Sequence, residues 1–414
     1  MPTVSLSWPG GPLTGTGHLP ASKSESNRAL LLQHLAGGGT LTNLSEAHDT
    51  VLMQRLLRAA DITDHLDAED AGTVMRFMAA YLAASNWEGT LTGTARMQQR
   101  PIAVLVDALR EVGAAIHYAG QEGYPPLRFG GSRMPKRRLI EMRGDVSSQY
   151  ISAMLMVAPF MPGALRLHLT GKISSRPYLD MTLGLMQHFG ITAAWTATYA
   201  INVRGGGYYP ADYTIENDWS AASYWYALVA LAPANSYVTL PGLRATSWQG
   251  DHIIREIMRP LGIETLFRPD AMNLLKVPAR PADLLAQPLD FTDCPDLAQT
   301  VAVVAAAQGL PLRLTGLASL RIKETDRIAA LQTELRKFGA DMPEVAPGVF
   351  EVQADKFEVS GQTVATYHDH RMALAFAPLA MRGPLRIEDP AVVRKSYPSF
   401  WQALAEVGML VTTH

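Results

Sequence analysis

The chain has almost no cysteine, no excess of one charge and no long hydrophobic run. Cys294 is the one cysteine among 414 residues, which excludes an internal disulfide framework and a cysteine-rich zinc site and is typical of a reducing compartment. The formal net charge is −2, so no general basic field favours nucleic acid or an anionic membrane. The longest apolar stretches, 224–234 and 301–307, fall short of the ~18 residues of a membrane span. The first residues lack the basic and apolar segments of a signal peptide, and we expect a cytoplasmic protein.

What the sequence does have is a pattern that recurs six times. Hydrophobic residues make up 48% of the chain and charged residues 18%, which is typical of a folded protein of two or three domains. Each copy begins with a polar cluster, continues as an apolar run with helical character, and ends in a turn and a short strand. The first polar helix positions are Ser24, Thr73, Ser148, Ser220, Asp296 and His370, with spacings of 49, 75, 72, 76 and 74 residues. The first spacing is short by about 25 residues, so the first copy lacks a hairpin.

A second helix follows the apolar one in each copy and is amphipathic. In five copies it ends at a glycine, which is typical of a left-handed C-cap. Because the first helix is apolar all round, we expect it to be buried, and the second to lie at the surface. Glycine-rich stretches at 130–132, 203–207 and 346–348 predict hairpin turns. The sequence thus predicts an α/β (α+β) fold of two similar domains, each with three βαβαββ units, with buried helices and outer sheets like an inside-out α/β barrel, and with the first unit truncated.

The polar residues at the helix starts indicate an anion site. Helix N-termini carry partial positive charge and unpaired N–H groups, and several of them directed at one cleft would attract phosphates or carboxylates. Cations reinforce this pattern within a chain of net charge −2. These are Lys23, Arg28, Arg100, Lys323, Arg327, Arg371 and Lys395. Each motif alone also fits an ordinary helix cap or a surface ion pair. His368 and His370 have no third ligand cluster nearby, so we expect no metal site.

Nine motifs, in order, give the chain a resemblance to a known family. They are ASKSESNRALLL, AGTVMR, RPIAVLVDAL, GDVSSQYISAMLM, SRPYLDMTL, PDLAQT, RIKETDRIAALQTELRKFGA, YHDHRMALAFA and RKSYP. Together they resemble the EPSP synthase family over about residues 19–400. The resemblance implies a discontinuous domain, 1–20 plus 218–414, and an inserted domain, 21–217. It also implies transfer of the enolpyruvyl group of phosphoenolpyruvate to the 5-hydroxyl of shikimate 3-phosphate, with release of phosphate, in chorismate and aromatic amino-acid biosynthesis. It implies a monomer without metal or organic cofactor.

The same resemblance assigns roles to residues of this sequence. Asp296 would be the general base on the 5-hydroxyl, Glu324 the proton donor to the methylene carbon, and Lys23 the group that offsets charge on the departing phosphate. The residues implied for shikimate 3-phosphate are Ser24, Arg28, Ser147, Ser148, Gln149, Ser175, Tyr178, Asp296, Ser319 and Lys323. The residues implied for phosphoenolpyruvate are Lys23, Gly72, Arg100, Gln149, Arg327, His370, Arg371 and Lys395. We expect the two halves to close around these substrates and exclude water.

Some positions depart from the family pattern and keep alternatives open. Asp70 stands where an asparagine is usual, Phe77 replaces a frequent proline, and Ser319 lies where asparagine or glutamate is common. With the missing hairpin, Asp70 supports a second hypothesis, a catalytically impaired homologue that only binds anions. A third is the related transferase that acts on UDP-N-acetylglucosamine, whose members have Lys-Asn where this chain has Lys23-Ser24, and a cysteine near Arg100 that is absent here. Nucleic acid and membranes are not expected as partners.

Overall fold

The chain divides into two units, one of which is built from two separate segments. The computed structural model describes residues 2–132, 139–160 and 165–414. One unit comprises Met1–Pro20 and Glu216–His414, and the other is the insertion Ala21–Ile215. The chain therefore leaves the inserted unit two residues before the domain boundary expected from the sequence. Among the described residues, no helix combines the length and the apolar character that crossing a membrane requires.

Thirteen α-helices occur in the described residues. Those of the inserted unit are α1 (Lys23–Leu35), α2 (His48–Ala59), α3 (Gly72–Ala84), α4 (Ala103–Glu111), α5 (Ser148–Val157) and α6 (Arg176–His188). Those of the discontinuous unit are α7 (Trp219–Leu231), α8 (Ile254–Met258), α9 (Ala282–Leu285), α10 (Ala298–Ala307), α11 (Arg327–Arg336), α12 (His370–Phe376) and α13 (Phe400–Glu406).

The described residues also contain 24 short strands. Those before or within the inserted unit are β1 (Thr3–Ser7), β2 (Thr14–Thr16), β3 (Leu41–Thr42), β4 (His65–Asp67), β5 (Glu88–Thr92), β6 (Ala114–Tyr118), β7 (Leu127–Ser132), β8 (Leu139–Arg143), β9 (Leu165–Thr170), β10 (Ala193–Ala197), β11 (Ala200–Val203) and β12 (Tyr213–Thr214). The rest are β13 (Tyr237–Pro241), β14 (Ile263–Phe267), β15 (Ala271–Lys276), β16 (Leu289–Asp290), β17 (Arg313–Thr315), β18 (Ala340–Asp341), β19 (Glu344–Ala346), β20 (Val349–Glu351), β21 (Gln353–Ala354), β22 (Thr363–Val364), β23 (Leu385–Glu388) and β24 (Leu410–Thr413).

The strands form one sheet for each copy of the repeat. In the discontinuous unit the four-stranded sheets have the orders β14-β15-β13-β2, β16-β17-β20-β19 and β22-β23-β1-β24, with a small β18-β21 pair beside them. In the inserted unit they have the orders β4-β5-β7-β6 and β10-β11-β9-β8. The third sheet there has only β12 and β3, paired in parallel with Leu41 opposite Tyr213. The first copy contributes no hairpin between α2 and α3, which confirms the truncation predicted from the spacing.

The first helix of the later copies is buried, as predicted. Helices α7, α10 and α12 form the centre of one apolar core, and α3 and α5 belong to the separate core of the inserted unit. Nearly every residue of α3, α7 and α10 is buried because these helices carry apolar side chains all round. The surface helices end at glycines with positive φ, from 79° to 98°, which satisfies the predicted left-handed caps. These glycines are Gly113, Gly190, Gly262, Gly339 and Gly408.

Two of the three predicted hairpin turns are wrong. Residues 346–348 do connect β19 to β20. Residues 130–132, however, lie inside β7, and residues 203–207 follow β11 rather than joining two paired strands. The actual β6–β7 connection is the segment 119–126, and Gly131 lies near a register shift between β6 and β7. Gly131 thus marks a strand irregularity rather than a turn.

The parallel pairing of β3 with β12 closes the inserted unit and depends on a close backbone approach at Gly39. Gly39 has φ +100°, and a Cβ at this position would collide with the backbone of Ala211. We expect Gly39→Ala to lower the free energy of unfolding by about 3 kcal/mol, from backbone strain plus overpacking. Gly37, with φ +72° and open space around it, is the matched control. Gly37→Ala should cost only about 1 kcal/mol of strain. Equal losses in denaturant unfolding would contradict the assigned contact.

Candidate active site

In the inserted unit, the start of α1 holds a paired lysine. Ser22 caps the helix, with its side chain accepting a hydrogen bond from the N–H of Glu25. Lys23, the first helical residue, donates from Nζ to Oδ2 of Asp49 at 3.1 Å, and Asp49 is buried in α2. The lysine is thus partly buried and positioned by a carboxylate, which the sequence analysis did not identify.

Arg28 lies one turn further along α1 and is held by neutral groups. Its Nε donates to Thr182 Oγ1 at 2.8 Å and its Nη2 to Ser152 Oγ at 3.1 Å. Its Nη1 donates to the carbonyl oxygen of Ser24 at 2.8 Å. Burial lowers the pKa of Arg28 to about 10, which leaves it charged at neutral pH. The guanidinium therefore brings positive charge to the start of α1, and its hydrogen bonds within the described residues go to two hydroxyl groups and a carbonyl oxygen.

Two rings flank the Arg28 guanidinium. Its centre lies 5.3 Å from the ring of Phe77 and 5.7 Å from that of Tyr178. The structure therefore brings Tyr178 and the carbonyl oxygen of Ser24 against Arg28, three residues that the resemblance assigns to shikimate 3-phosphate. It also places Phe77, a departure from the family pattern, against this arginine rather than at an unrelated position.

The starts of α3 and α5 are linked by a side-chain hydrogen bond. Ser147 caps α5 and accepts from the N–H of Gln149 at 3.3 Å, while Gln149 Nε2 donates to Thr73 Oγ1 at 3.0 Å. Ser148 is the first residue of α5. Ser175 precedes α6 with a left-handed φ of 55°, and within the described residues its side chain makes no hydrogen bond to Ser147 or Ser148.

The loop before α3 takes the place of the missing hairpin and is fixed by ion pairs. Glu69 adopts a left-handed φ of 50° and accepts from His48 Nε2 at 2.7 Å and from Arg55 at 2.6 Å. These hydrogen bonds outweigh the effect of burial and lower the pKa of Glu69. Asp70 follows it, half-buried, two residues before Gly72. Both partners of Glu69 come from α2, so the short loop is positioned by the preceding helix.

In the discontinuous unit, three helix starts bring a carboxylate and two arginines together. Asp296 lies in a 3-10 turn, Pro295–Leu297, immediately before α10 rather than within the helix. Its Oδ1 accepts from Arg327 Nη1 at 2.9 Å and its Oδ2 from Arg371 Nη2 at 2.7 Å. Arg327 begins α11 and Arg371 is the second residue of α12. The two predicted cations therefore meet at the predicted base.

Glu324 and two lysines complete this cluster. Glu324 accepts from Arg327 Nη2 at 2.7 Å, and Lys395 Nζ lies 3.9 Å from its other oxygen. Lys323 Nζ lies 4.0 Å from Asp296 Oδ1. Arg327 also donates to Asp369, which is fully buried and caps α12. The acid–base cluster, as we call it, thus has four cations and three carboxylates, and its members are Asp296, Lys323, Glu324, Arg327, Asp369, Arg371 and Lys395.

Electrostatics in this cluster hold the proposed base in its anionic form. Burial alone would raise the pKa of Asp296, but the charges of Arg371, Lys323 and Arg327 outweigh burial and hold that pKa well below its usual range. The pKa of Lys323 is lowered, and burial is the largest cause of that shift. Asp296 is therefore a carboxylate at any physiological pH, and its basicity depends on how tightly these cations hold it.

Two further residues predicted for the site, His370 and Ser319, lie outside the cluster itself. Two residues that contact its arginines were not predicted. His370 is buried, with Nδ1 3.7 Å from Asp369 Oδ1. Ser319 is half-buried in the 3-10 helix Ala318–Ile322, and the structure shows no contact between it and Asp296 within the described residues. Asp369 and Tyr224, whose hydroxyl accepts from Arg371 Nη1 at 3.1 Å, were not predicted. Asp369 stands within the HDHR motif, so its position as a helix cap before two basic residues was an available signal.

A fourth carboxyl group, that of Asp251, lies close enough to the cluster for the charge of Asp296 to shift its pKa. Ser220, near the start of α7, donates to Asp251 Oδ2, whereas the buried Oδ1 has no hydrogen-bond partner among the described residues. Burial first, and then the charge of Asp296, raise the pKa of Asp251 to about 7. Sequence analysis missed it because a lone aspartate after Gln249-Gly250 gives no sign of burial.

The fold is that of an α/β protein, and each unit holds buried or partly buried cations, which in the discontinuous unit surround paired carboxylates. Comparisons with known proteins identify the family. Residues 59–404 match the family model described as EPSP synthase (3-phosphoshikimate 1-carboxyvinyltransferase). The chain belongs to the EPSP synthase family, as the motifs indicated. Among the described residues, no group of three His, Cys, Asp or Glu side chains is arranged to hold a metal ion.

Individual relatives match over nearly the full chain. The chain is 45% identical over 399 residues to the 3-phosphoshikimate 1-carboxyvinyltransferase of Bacteroides fragilis (strain YCH46), covering 96% of each. It is 35% identical over 421 residues to that of Tolumonas auensis, covering 95% of this chain and 96% of the relative. The solved EPSP synthase of Acinetobacter baumannii has the same fold, with a TM-score of 0.79 and 21% identity over 100% of both chains.

The raised pKa of Asp251 predicts a pH-dependent stability. The carboxyl group titrates near 3.8 when unfolded and near 7 when folded, so its stabilising contribution is present below about pH 4 and lost as pH rises through 7. We expect the free energy of unfolding of the unmodified chain to fall relative to that of Asp251→Asn between pH 4 and 7, in urea unfolding followed by tryptophan fluorescence. Asp270→Asn, which changes an exposed carboxylate of the same unit, is the control and should show no such trend. Parallel curves for the unmodified chain and Asp251→Asn would refute the assignment.

Proposed function

We propose that the chain transfers the enolpyruvyl group of phosphoenolpyruvate to the 5-hydroxyl of shikimate 3-phosphate and releases phosphate, in the biosynthesis of chorismate. The observation that carries the proposal is the pairing of two carboxylates, Asp296 and Glu324, through one buried arginine, Arg327. Transfer of this kind needs one group that takes a proton from the hydroxyl and another that gives a proton to the methylene carbon.

The two carboxyl groups divide the addition step between them. Asp296 accepts the proton of the 5-hydroxyl while the hydroxyl oxygen bonds to C2 of phosphoenolpyruvate. Glu324, in its protonated form, delivers a proton to C3, which becomes a methyl group in a tetrahedral intermediate. Elimination then returns a proton from that methyl group to Glu324 and expels phosphate, which takes up the proton held by Asp296 and whose charge Lys23 offsets. No electrons are gained or lost, so the reaction balances without a redox cofactor.

Anion binding would also change the basicity of Asp296. Without substrate, both oxygens of Asp296 accept hydrogen bonds from arginines, and this weakens it as a base. A substrate phosphate or carboxylate that draws Arg371 and Lys323 toward itself loosens their hold on Asp296 and raises its pKa. The charges of the cluster favour such binding, since its four cations exceed its three carboxylates.

The remaining site residues are assigned to the two substrates by their motifs. For shikimate 3-phosphate we propose Ser24, Arg28, Ser147, Ser148, Gln149, Ser175, Tyr178, Asp296, Ser319 and Lys323. For phosphoenolpyruvate we propose Lys23, Gly72, Arg100, Gln149, Arg327, His370, Arg371 and Lys395. The contacts of Arg28 with Tyr178 and of Gln149 with Thr73 support this grouping within the inserted unit. We further propose that the chain acts as a monomer in the cytoplasm.

Isosteric substitutions test the two catalytic assignments. We expect Asp296→Asn and Glu324→Gln each to lower kcat by about 10²- to 10⁴-fold in a steady-state assay of phosphate release, because each removes one proton transfer. Binding of shikimate 3-phosphate, measured by calorimetry, should change far less, since both replacements keep the size of the side chain.

Glu351→Gln provides the matched control for these variants. Glu351 belongs to the same unit and accepts from Arg313 at 2.7 Å, outside the acid–base cluster. Its replacement should leave kcat unchanged. Normal turnover in Asp296→Asn or Glu324→Gln would refute the assigned role. A well-folded unmodified chain that binds both substrates without turnover would instead support the impaired-homologue hypothesis.

A further inference from the structure

Glu334 is a buried carboxylate that the proposed mechanism does not use. It lies in α11, outside the acid–base cluster, and is 0% exposed. Its Oε1 accepts a hydrogen bond from the Tyr367 hydroxyl at 2.7 Å, and its Oε2 accepts one from the N–H of Ala365 at 3.0 Å. Lys337 Nζ also lies 2.7 Å from Oε2. Because a buried carboxylate is strongly unfavourable unless partners satisfy its oxygens, Glu334 holds Ala365 and Tyr367 in place.

The segment that Glu334 holds contains a strained turn between β22 and α12. Tyr367 and His368 have φ values of 55° and 57°, in the left-handed region, and neither is a glycine. Two such residues in succession are unfavourable and persist only where the surrounding structure fixes them. Tyr367 is fixed by its hydrogen bond to Glu334. The side chain of His368 is exposed, so its contact of 3.6 Å with Asp389 Oδ2 stabilises the turn little.

The strained turn leads directly into two members of the acid–base cluster. Asp369 follows His368 and caps α12, where it accepts from the N–H of Arg371 at 2.9 Å. Asp369 also accepts from Arg327 Nε at 2.6 Å, and Arg371 donates from Nη2 to Asp296 at 2.7 Å. Because the turn immediately precedes Asp369, its backbone angles set the direction in which the side chains of Asp369 and Arg371 leave the chain.

Helix α11 contacts this segment at two points, two helical turns apart. Arg327, its first residue, donates to Asp369. Glu334 comes seven residues later and lies on the same face, because seven residues make about two turns of an α-helix. The two contacts are thus about 10 Å apart along the helix axis. One contact would leave the start of α12 free to pivot, whereas two contacts fix both its position and its direction.

The Tyr367 hydroxyl remains a donor to Glu334 over the physiological pH range. Burial first, and then the hydrogen bond to the Glu334 carboxylate, raise the pKa of Tyr367 to about 12. A hydrogen bond from a phenol to a carboxylate is charge-assisted and is stronger than one between neutral groups. The contact that holds the turn therefore persists wherever the enzyme is expected to work.

We infer that Glu334 is a positioning residue for the acid–base cluster and acts through Tyr367. Its contacts fix the strained turn, and the turn directs Asp369 and Arg371 toward Asp296. Without these contacts, Arg371 would leave the position that the proposed function requires for binding phosphoenolpyruvate. The effect on phosphoenolpyruvate rests on the function proposed above, whereas the ordering of the turn by Glu334 does not.

Hydrogen exchange of the full chain, measured by mass spectrometry, tests the turn independently of catalysis. We expect Glu334→Gln to speed exchange at least tenfold in peptides that cover 365–372, because the amide nitrogen that replaces one oxygen cannot accept a hydrogen bond. Exchange in peptides from α7 and α10 should stay unchanged. Unchanged exchange over 365–372, or an equal acceleration throughout the unit, would overturn the inference, since the second result shows a general loss of stability.

Steady-state phosphate release then measures how well Arg371 is positioned. With both substrates, Glu334→Gln should raise the KM for phosphoenolpyruvate at least fivefold and leave the KM for shikimate 3-phosphate within threefold. A merely structural defect reduces the folded fraction, which lowers kcat and moves neither KM, so that result would overturn the inference. Equal rises in both KM values would overturn it as well.

Tyr367→Phe removes one contact and keeps the buried carboxylate, so it tests the inference even if Glu334→Gln fails to fold. It should raise the KM for phosphoenolpyruvate at least threefold. Tyr226→Phe is the matched control, because the Tyr226 hydroxyl bonds to Thr265 Oγ1 at 2.8 Å in the same unit, outside the turn. It should leave that KM and the exchange over 365–372 unchanged. A normal KM in Tyr367→Phe would overturn the inference.

The double variant Glu334→Gln with Tyr367→Phe tests whether the two residues act through one contact. Its KM for phosphoenolpyruvate should lie within twofold of that of Glu334→Gln, because the second change removes a contact that is already weakened. Effects that multiply would show independent roles and overturn the inference. Absence of turnover in the unmodified chain would refute the proposed function, while hydrogen exchange would still decide whether Glu334 fixes the turn.

Discussion

Burial of the central helices on every side dictates where this protein can place charge. A helix such as α7 or α10 packs apolar side chains all round, so ionisable groups are confined to its first turn or to the turn before it. Asp296 immediately before α10 and Arg371 at the start of α12 follow this rule, whereas α1 carries Lys23 at its start and also the buried Arg28 one turn further along. A cation at the start of a helix lies next to the positive end of the helix dipole. The repulsion between them is unfavourable until an anion is present.

The two units stabilise their buried cations in different ways. In the discontinuous unit, carboxylates accompany the cations, and Arg327 alone contacts Asp296, Glu324 and Asp369. In the inserted unit, Arg28 is held by hydroxyl groups, a carbonyl oxygen and aromatic rings. Arg76 relies on one ring among the described residues. The first arrangement provides acid–base groups, and the second leaves positive charge for a ligand to neutralise. The proposed roles, proton transfer in one unit and anion binding in the other, accord with these different partners, although Lys23 in the inserted unit is itself paired with Asp49.

Features that repeat along the chain were predictable from the sequence, and features set by burial at single positions were not. The sixfold spacing, the all-round apolar helices and the glycines such as Gly190 that end surface helices each follow a rule of period or cap, and the structure confirms them. The family was predictable from nine motifs. The pairing of Lys23 with Asp49, and the buried states of Arg76 and Asp251, depend on contacts between distant segments, which periodicity does not encode. The predicted turn at 130–132 is wrong because glycine serves strand irregularities as well as turns, and the glycines at 205–207 follow β11 without joining it to a paired strand.

Strand β1 lies between β23 and β24, with Val4 opposite both Ile387 and Thr413. Because a ribosome makes a chain from its N-terminus, β1 is synthesised long before its pairing partners β23 and β24. The same delay applies to β2, whose neighbour β13 begins at residue 237. The inserted unit, in contrast, has every strand of its own sheets by residue 214. Vectorial synthesis thus favours an order in which the inserted unit folds before β1 and β2 pair with their neighbours.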